Sequence, residues 1–157
     1  MRNFGKWGLV GTSVVVCLVL GNVAGRAEDA AAVVKQRHAL MKAQGGDLKA
    51  IGAFAKGEGD QATAQAKADD LVEQAKKIPA SFPPGTSLTD YSDDNAAKPE
   101  IWANFDKFKS LAADLQGQTV KLAEAVKSGD KAAVGAQLGA TGKACGACHN
   151  EFRQKEN

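Results

Sequence analysis

Cys145-Gly146-Ala147-Cys148-His149, close to the C-terminus, combines two thiols and an imidazole at the spacing that attaches c-type haem. The thiols would add to the two haem vinyl groups as thioethers, and the imidazole would take one axial position on the iron. The spacing suits a helix. At about 100° per residue, Cys148 lies about −60° and His149 about +40° from Cys145, so all three leave one face that a flat macrocycle can cover. Other chemistries ask for surroundings this chain does not offer. A thioredoxin-like C-x-x-C sits in a βαβ unit, and no strand-like run precedes this one. A structural zinc site takes four ligands, and outside the pentapeptide there are only Cys17 and His38.

The N-terminus supplies a route to the compartment where such a cofactor is attached. Arg2 and Lys6 precede an apolar run, Leu9 to Leu20, and Gly25-Arg26-Ala27 places small residues at a cleavage site. This pattern predicts a signal peptide over residues 1–27, cleaved after Ala27, and a domain over residues 28–157. The alternative is an uncleaved anchor. Val16 is too large for lipoprotein processing at Cys17. Cleavage leaves 130 residues, enough for one compact domain. Lys plus Arg falls from 20 to 17 against 18 Asp plus Glu, so the formal charge moves from +2 to −1. No basic stripe argues for nucleic acid. Cys145 and Cys148 are consumed by thioethers, which leaves no disulfide in the mature chain and makes packing plus the cofactor its source of stability. The expected location is the periplasm, with no membrane span in the mature chain.

Four segments with helical periodicity must position the motif. The first, Asp29 to Lys56, aligns Val34, Arg37, Met41, Gln44, Leu48, Ile51 and Ala55. The second, Asp60 to Ile78, aligns Ala64, Ala68, Leu71, Ala75 and Ile78. The third, Pro99 to Lys127, aligns Ile101, Phe105, Phe108, Ala112, Leu115, Leu122 and Val126. The fourth, Asp130 to Gln154, aligns Val134, Leu138, Thr141, Cys145, Cys148 and Phe152. Seams of this kind predict an all-α, antiparallel four-helix bundle with the haem entering its core. Asp60 and Asp130 are candidate N-caps, and Gly129 ends the third helix. Residues 79–98 form a long loop in which Phe82, Leu88 and Tyr91 can pack. Gly45-Gly46 interrupts the first helix. Either the helix breaks there with Asp47 capping a second, shorter helix, or the missing side chains admit a macrocycle edge. Trp102, Phe105 and Phe108 are expected against the porphyrin. With so few aromatics the haem supplies much of the apolar core, so the apo-protein should fold poorly.

Arg37-His-Ala-Leu-Met41-Lys-Ala-Gln-Gly45, Ala55-Lys-Gly-Glu58, Pro99-Glu-Ile-Trp102 and Gly142-Lys-Ala-Cys-Gly-Ala-Cys-His-Asn-Glu-Phe-Arg153 together resemble the class II cytochromes c. These comprise cytochromes c′ and the low-spin cytochromes c-556, and the last three segments look most like the c-556 branch. The resemblance implies one covalent haem c. It makes Met41 the distal residue of the first helix. Cytochromes c′ have an apolar residue there, with five-coordinate iron open to NO and CO. Cytochromes c-556 have a methionine and six-coordinate iron. It also implies that Arg37 pairs with a haem propionate and that Arg153 lies near His149. The simpler readings are a solvated bundle end for Arg37 and a helix-dipole contact for Arg153.

The expected function is single-electron transfer with His149 and Met41 as axial ligands, working with redox proteins as a monomer or homodimer. No acid–base constellation for catalysis is evident. Competing readings are His38 as the distal ligand, an open distal face that binds gases, and a thiol redox or metal-binding protein without haem.

Overall fold

The computed structural model describes residues 22–155, with side chains from residue 29. Residues 1–21, most of the expected signal peptide, lie outside the described residues. Helix α1 runs from Asn22 to Lys56 and α2 from Gln61 to Lys77. A 3-10 turn, Pro79–Ser81, starts the long connection, which ends in a single-turn α3, Glu100–Ala103. Helices α4, Phe105–Ser128, and α5, Lys131–Phe152, complete the chain. The packing forms a ring: α1 touches α2 and α5, and α4 touches α2 and α5. The C-terminal ends of α2 and α5 lie with the N-terminal halves of α1 and α4, so neighbours are antiparallel. The expected bundle is present.

Local chemistry explains the boundaries. The Asp60 carboxylate accepts from the Thr63 amide at 2.8 Å, and Asp130 accepts from Ala132 at 2.9 Å and Ala133 at 3.1 Å. Each caps its helix N-terminus. Gly129 closes α4 with φ 75°, a left-handed conformation costly for other residues. One expectation needs correction, and one open choice is decided. The third helix is broken at Asn104, whose φ of −126° and ψ of 45° leave the helical region. The Gly45-Gly46 pair does not break α1, which stays helical throughout. Asp47 is therefore no cap. It is buried and accepts from Gln74 at 2.7 Å and Lys67 at 3.2 Å, tying α1 to α2.

The bundle has two cores. At the end distant from the cysteines, Ile51, Phe54, Ala64, Ala68, Leu71, Leu122, Val126 and Val134 pack together. At the other end Ile78, Phe82, Ile101, Phe108, Leu115 and Phe152 pack around the cysteines and Met41. Phe108 makes edge contacts with Phe82 at 4.8 Å and with Phe152 at 5.6 Å. The long loop is strapped over this second end. Lys98 donates to the Phe152 carbonyl at 3.0 Å and Gln154 to Ala96 at 2.8 Å, around an antiparallel bridge between Ala97 and Arg153.

Within the loop, Asp90 accepts from the Ser87 hydroxyl at 2.5 Å and the Ser87 amide at 3.0 Å. These bonds hold its carboxyl below the usual carboxylate range. A depressed folded pKa adds stability above the unfolded pKa, and that stability is lost as pH falls through the folded value. The loop should therefore loosen in acid below the ordinary carboxylate range. Amide exchange at Ser87 against pH would show this, and Asp90→Asn would abolish the pH step.

Candidate functional site

A cavity of about 580 Å³ opens between α1 and the C-terminal half of α5, with α4 and the loop as its other walls. Volume and lining suit a medium-sized, mainly apolar ligand. Val34, Met41, Gln44 and Leu48 face it from α1, on the expected seam. Phe108, Leu111, Ala112 and Leu115 face it from α4. Ile78, Phe82 and Phe152 close the end. Cys145, Cys148 and His149 enter from α5, so motif and thioether meet one space from facing helices.

Electrostatics at the motif disfavour thiolate chemistry. Burial pushes the Cys145 thiol up, and burial together with Cys145 and Glu151 pushes Cys148 up to about 11. Reactive redox cysteines are instead held as thiolates. Among the described residues there is no cluster of three His, Cys, Asp or Glu that could hold a metal ion. The crowded cavity wall, and next the Arg153 charge, keep the His149 pKa below its ordinary value. The imidazole is thus neutral at pH 7, with a lone pair for a metal.

Three further observations fit a planar, partly anionic macrocycle. Gly45 lines the cavity from α1, where a Cβ would meet only open space. Of the two readings of the glycine pair, the unbroken helix rules out the break. Gln44 is 6% exposed and lines the cavity, and its Nε2 has no hydrogen-bond partner. A buried unpaired donor is costly, which a ligand acceptor would relieve. Arg37 is also 6% exposed, and no carboxylate among the described residues bonds to it.

Arg37 is not at a solvated bundle end. Nε donates to the Ser81 carbonyl at 3.0 Å, Nη1 to the Thr86 carbonyl at 3.1 Å and Asn95 Oδ1 at 3.3 Å, and Nη2 to the Thr86 hydroxyl at 2.6 Å. The guanidinium also stacks 4.1 Å over the Phe82 ring. Burial without a counter-charge pulls its pKa down to about 10. Four of its five N–H groups thus fasten the loop, and one is left for a cavity anion such as a propionate. Arg37→Leu should lower stability by about 3 kcal/mol, since several buried carbonyls lose their donor. Arg37→Lys should rescue little, because an ammonium cannot span the same fork. Thermal melts and protease nicking within residues 79–98 would check both.

Other expected site residues fall differently. Trp102 does not line the cavity. Its Nε1 donates to the Phe82 carbonyl at 3.1 Å, and its ring lies behind Phe82 at 6.4 Å. The break at Asn104 turns it and Phe105 toward a separate shallow groove, and Phe108 alone of the three faces the cavity. Arg153 lies beyond the last helical turn, in extended backbone, yet it borders the cavity and bears on His149. His38 stands at the cavity mouth, exposed, with Nδ1 2.6 Å from Asp94 Oδ2. Asp94 is held at φ 50°, the left-handed region. Sequence reasoning missed the loop residues Thr86, Asn95 and Asp94, which no periodicity marks.

Comparison with known proteins gives a consistent picture. A family model described as cytochrome c′ matches residues 32–153. The chain is 37% identical over 131 residues to a cytochrome c′ of Rhodospirillum rubrum, covering 82% of this chain and 86% of that protein. It is 37% identical over 125 residues to a cytochrome c-556 of Agrobacterium tumefaciens, covering 78% and 98%. Among solved structures it resembles a nitric oxide complex of a cytochrome c prime mutant from Alcaligenes xylosoxidans. That match has a TM-score of 0.70 and 29% identity, and covers 80% of this chain and 97% of that one.

Proposed function

The chain belongs to the cytochrome c′ family, with haem c attached covalently through Cys145 and Cys148, and from that premise we propose that it is a periplasmic single-electron carrier in which His149 and Met41 would hold the haem iron. The observation that carries the reading is Met41. It is the chain's one methionine besides Met1, and it faces the Cys145–His149 segment from α1 across the cavity. Bound haem supplies one-electron Fe(III)/Fe(II) chemistry, favoured toward the ferrous state by a neutral thioether. The protein's part is to hold both ligands on long packed helices, so that little moves when the charge changes. His149 offers a neutral nitrogen oriented by α5. Phe82, Phe108 and Phe152 exclude water, and Arg37 and Gln44 provide donors for the anionic edge. No helix among the described residues is long and apolar enough to cross a membrane. Redox partner proteins meet it as a monomer or homodimer.

Ferric and ferrous absorption spectra test the reading. Low-spin spectra with a thioether-to-ferric-iron charge-transfer band are expected. High-spin spectra without that band would favour the second reading, a gas-binding haem protein with an open distal side. Likeness to a cytochrome c prime solved with nitric oxide is the observation on that side.

A further inference from the structure

The composition showed no basic stripe, yet helix α1 carries one. Lys35, Lys42, Lys49 and Lys56 are seven residues apart and all exposed. Seven residues advance a helix by about 10.5 Å and almost two full turns, so the four ammonium groups form a row about 31 Å long. None of them has an ion-pair partner among the described residues. Four lysines on the other helices are neutralised, Lys67 by Asp47 and Asp70, Lys76 by Glu73, Lys107 by Glu151 and Lys109 by Asp106, and among the described residues no other helix carries an unpaired lysine at every seventh residue. Between Ala30 and Lys56 the single acid is Asp47, buried and already bonded.

The row also has a definite place. Around α1 the lysines fall about 60–120° from Met41, on the same side as His38 and Gly45 at about 60° and 40°. His38 and Gly45 are exposed and line the cavity, so they mark its mouth. Among the described residues Asp94 is the one acid lining this rim, and its carboxylate is hydrogen-bonded to His38. Lys35, Lys42 and Lys49 therefore run alongside the opening through which a redox centre in the cavity meets the outside, and Lys56 extends the row about 12 Å beyond Leu48, the last residue of α1 that lines the cavity.

We propose that this edge of α1 is the docking surface for an acidic face of a redox partner protein. The proposal rests on the electron-carrier reading and deepens it. Lysines about a Debye length apart act locally, whatever the net charge of the whole molecule. Exposed residues among them are small: Ala39, Ala43, Gly45 and Gly46 let a partner surface approach closely. They include no large apolar side chain of the kind an interfacial membrane helix inserts. Complementary charge at such a rim sets encounter rate and orientation more than affinity.

The test follows one-electron oxidation of the ferrous holoprotein by two small oxidants in a stopped-flow instrument. The protein loses one electron, and ferricyanide becomes ferrocyanide, or tris(phenanthroline)cobalt(III) becomes cobalt(II). The mature chain has a formal charge of −1, so net charge alone predicts that the ferricyanide rate rises with salt. The lysine row predicts the opposite, a fall of about tenfold from low to high ionic strength, with no such fall for the cationic cobalt complex. A quadruple variant, Lys35→Gln, Lys42→Gln, Lys49→Gln and Lys56→Gln, should lose the fall. A control with Lys76, Lys77, Lys121 and Lys127 changed to Gln should keep it. A ferricyanide rate that rises with salt, or an equal effect of both variants, overturns the proposal. Slow oxidation by both reagents with the anion preference intact would count against the carrier reading and still support the surface. Co-sedimentation with phosphatidylglycerol vesicles, lost in the quadruple variant, would assign the row to a membrane. A salt-sensitive dimer lost in that variant would assign it to a second copy. Either result overturns the acidic-partner assignment.

Discussion

Replacing Met41 by leucine is expected to raise the CO affinity of the ferrous protein by about 100-fold. If the thioether occupies the iron in about 99 of 100 molecules, a competing gas sees a competent site in the remaining one, and its apparent dissociation constant rises by that factor. Leucine removes the sulfur but nearly keeps the volume, so the packing penalty should stay under about 1.5 kcal/mol. The expected result is a stable, high-spin protein that binds CO tightly, followed by CO titration and a thermal melt. His38→Ala should leave the spectrum of the parent unchanged, because its ring is already bonded to Asp94 at the mouth. A spectrum altered by His38→Ala and indifferent to Met41→Leu would make histidine the distal ligand.

Removing the haem anchors should unfold one half of the molecule. In a Cys145→Ala, Cys148→Ala variant, amides of the cavity end should lose about 100-fold or more of their exchange protection. Those around Ile51, Leu122, Val126 and Val134 should keep theirs. These four residues are completely buried in a core that the cavity does not enter. Phe82, Phe108 and Phe152 instead surround a space of about 580 Å³, and a cavity that size without its ligand forfeits contact on one side of each ring. Stability is thus divided along the bundle, and local opening should follow the division. Near-UV circular dichroism would lose most of its aromatic signal, since the aromatic cluster is at the cavity end. Native-like near-UV spectra in the variant would refute the division.

Local periodicity and residue chemistry made part of this molecule legible in its chain. The seam Val34, Arg37, Met41, Gln44 and Leu48 does face the cavity, and Asp60, Asp130 and Gly129 do end helices. The break at Asn104 was not legible, because the apolar spacing from Ile101 to Phe108 continues across it. That break, not composition, turns Trp102 outward. Arg37 looked polar on an apolar stripe, but its loop acceptors are 44 to 58 residues away in sequence, beyond the reach of any pattern. The glycine pair was ambiguous because helix propensity counts the cost of glycine and not the space it leaves. The lysine row was hidden by net charge, which sums over faces that the fold keeps apart.

Closure of the distal position by Met41 is tested most directly by exposing the ferrous holoprotein to CO at neutral pH. Met41 ligation predicts a low-spin spectrum that CO changes slowly and only at high concentration. Immediate, stoichiometric conversion to the CO form would contradict it and leave an open haem protein.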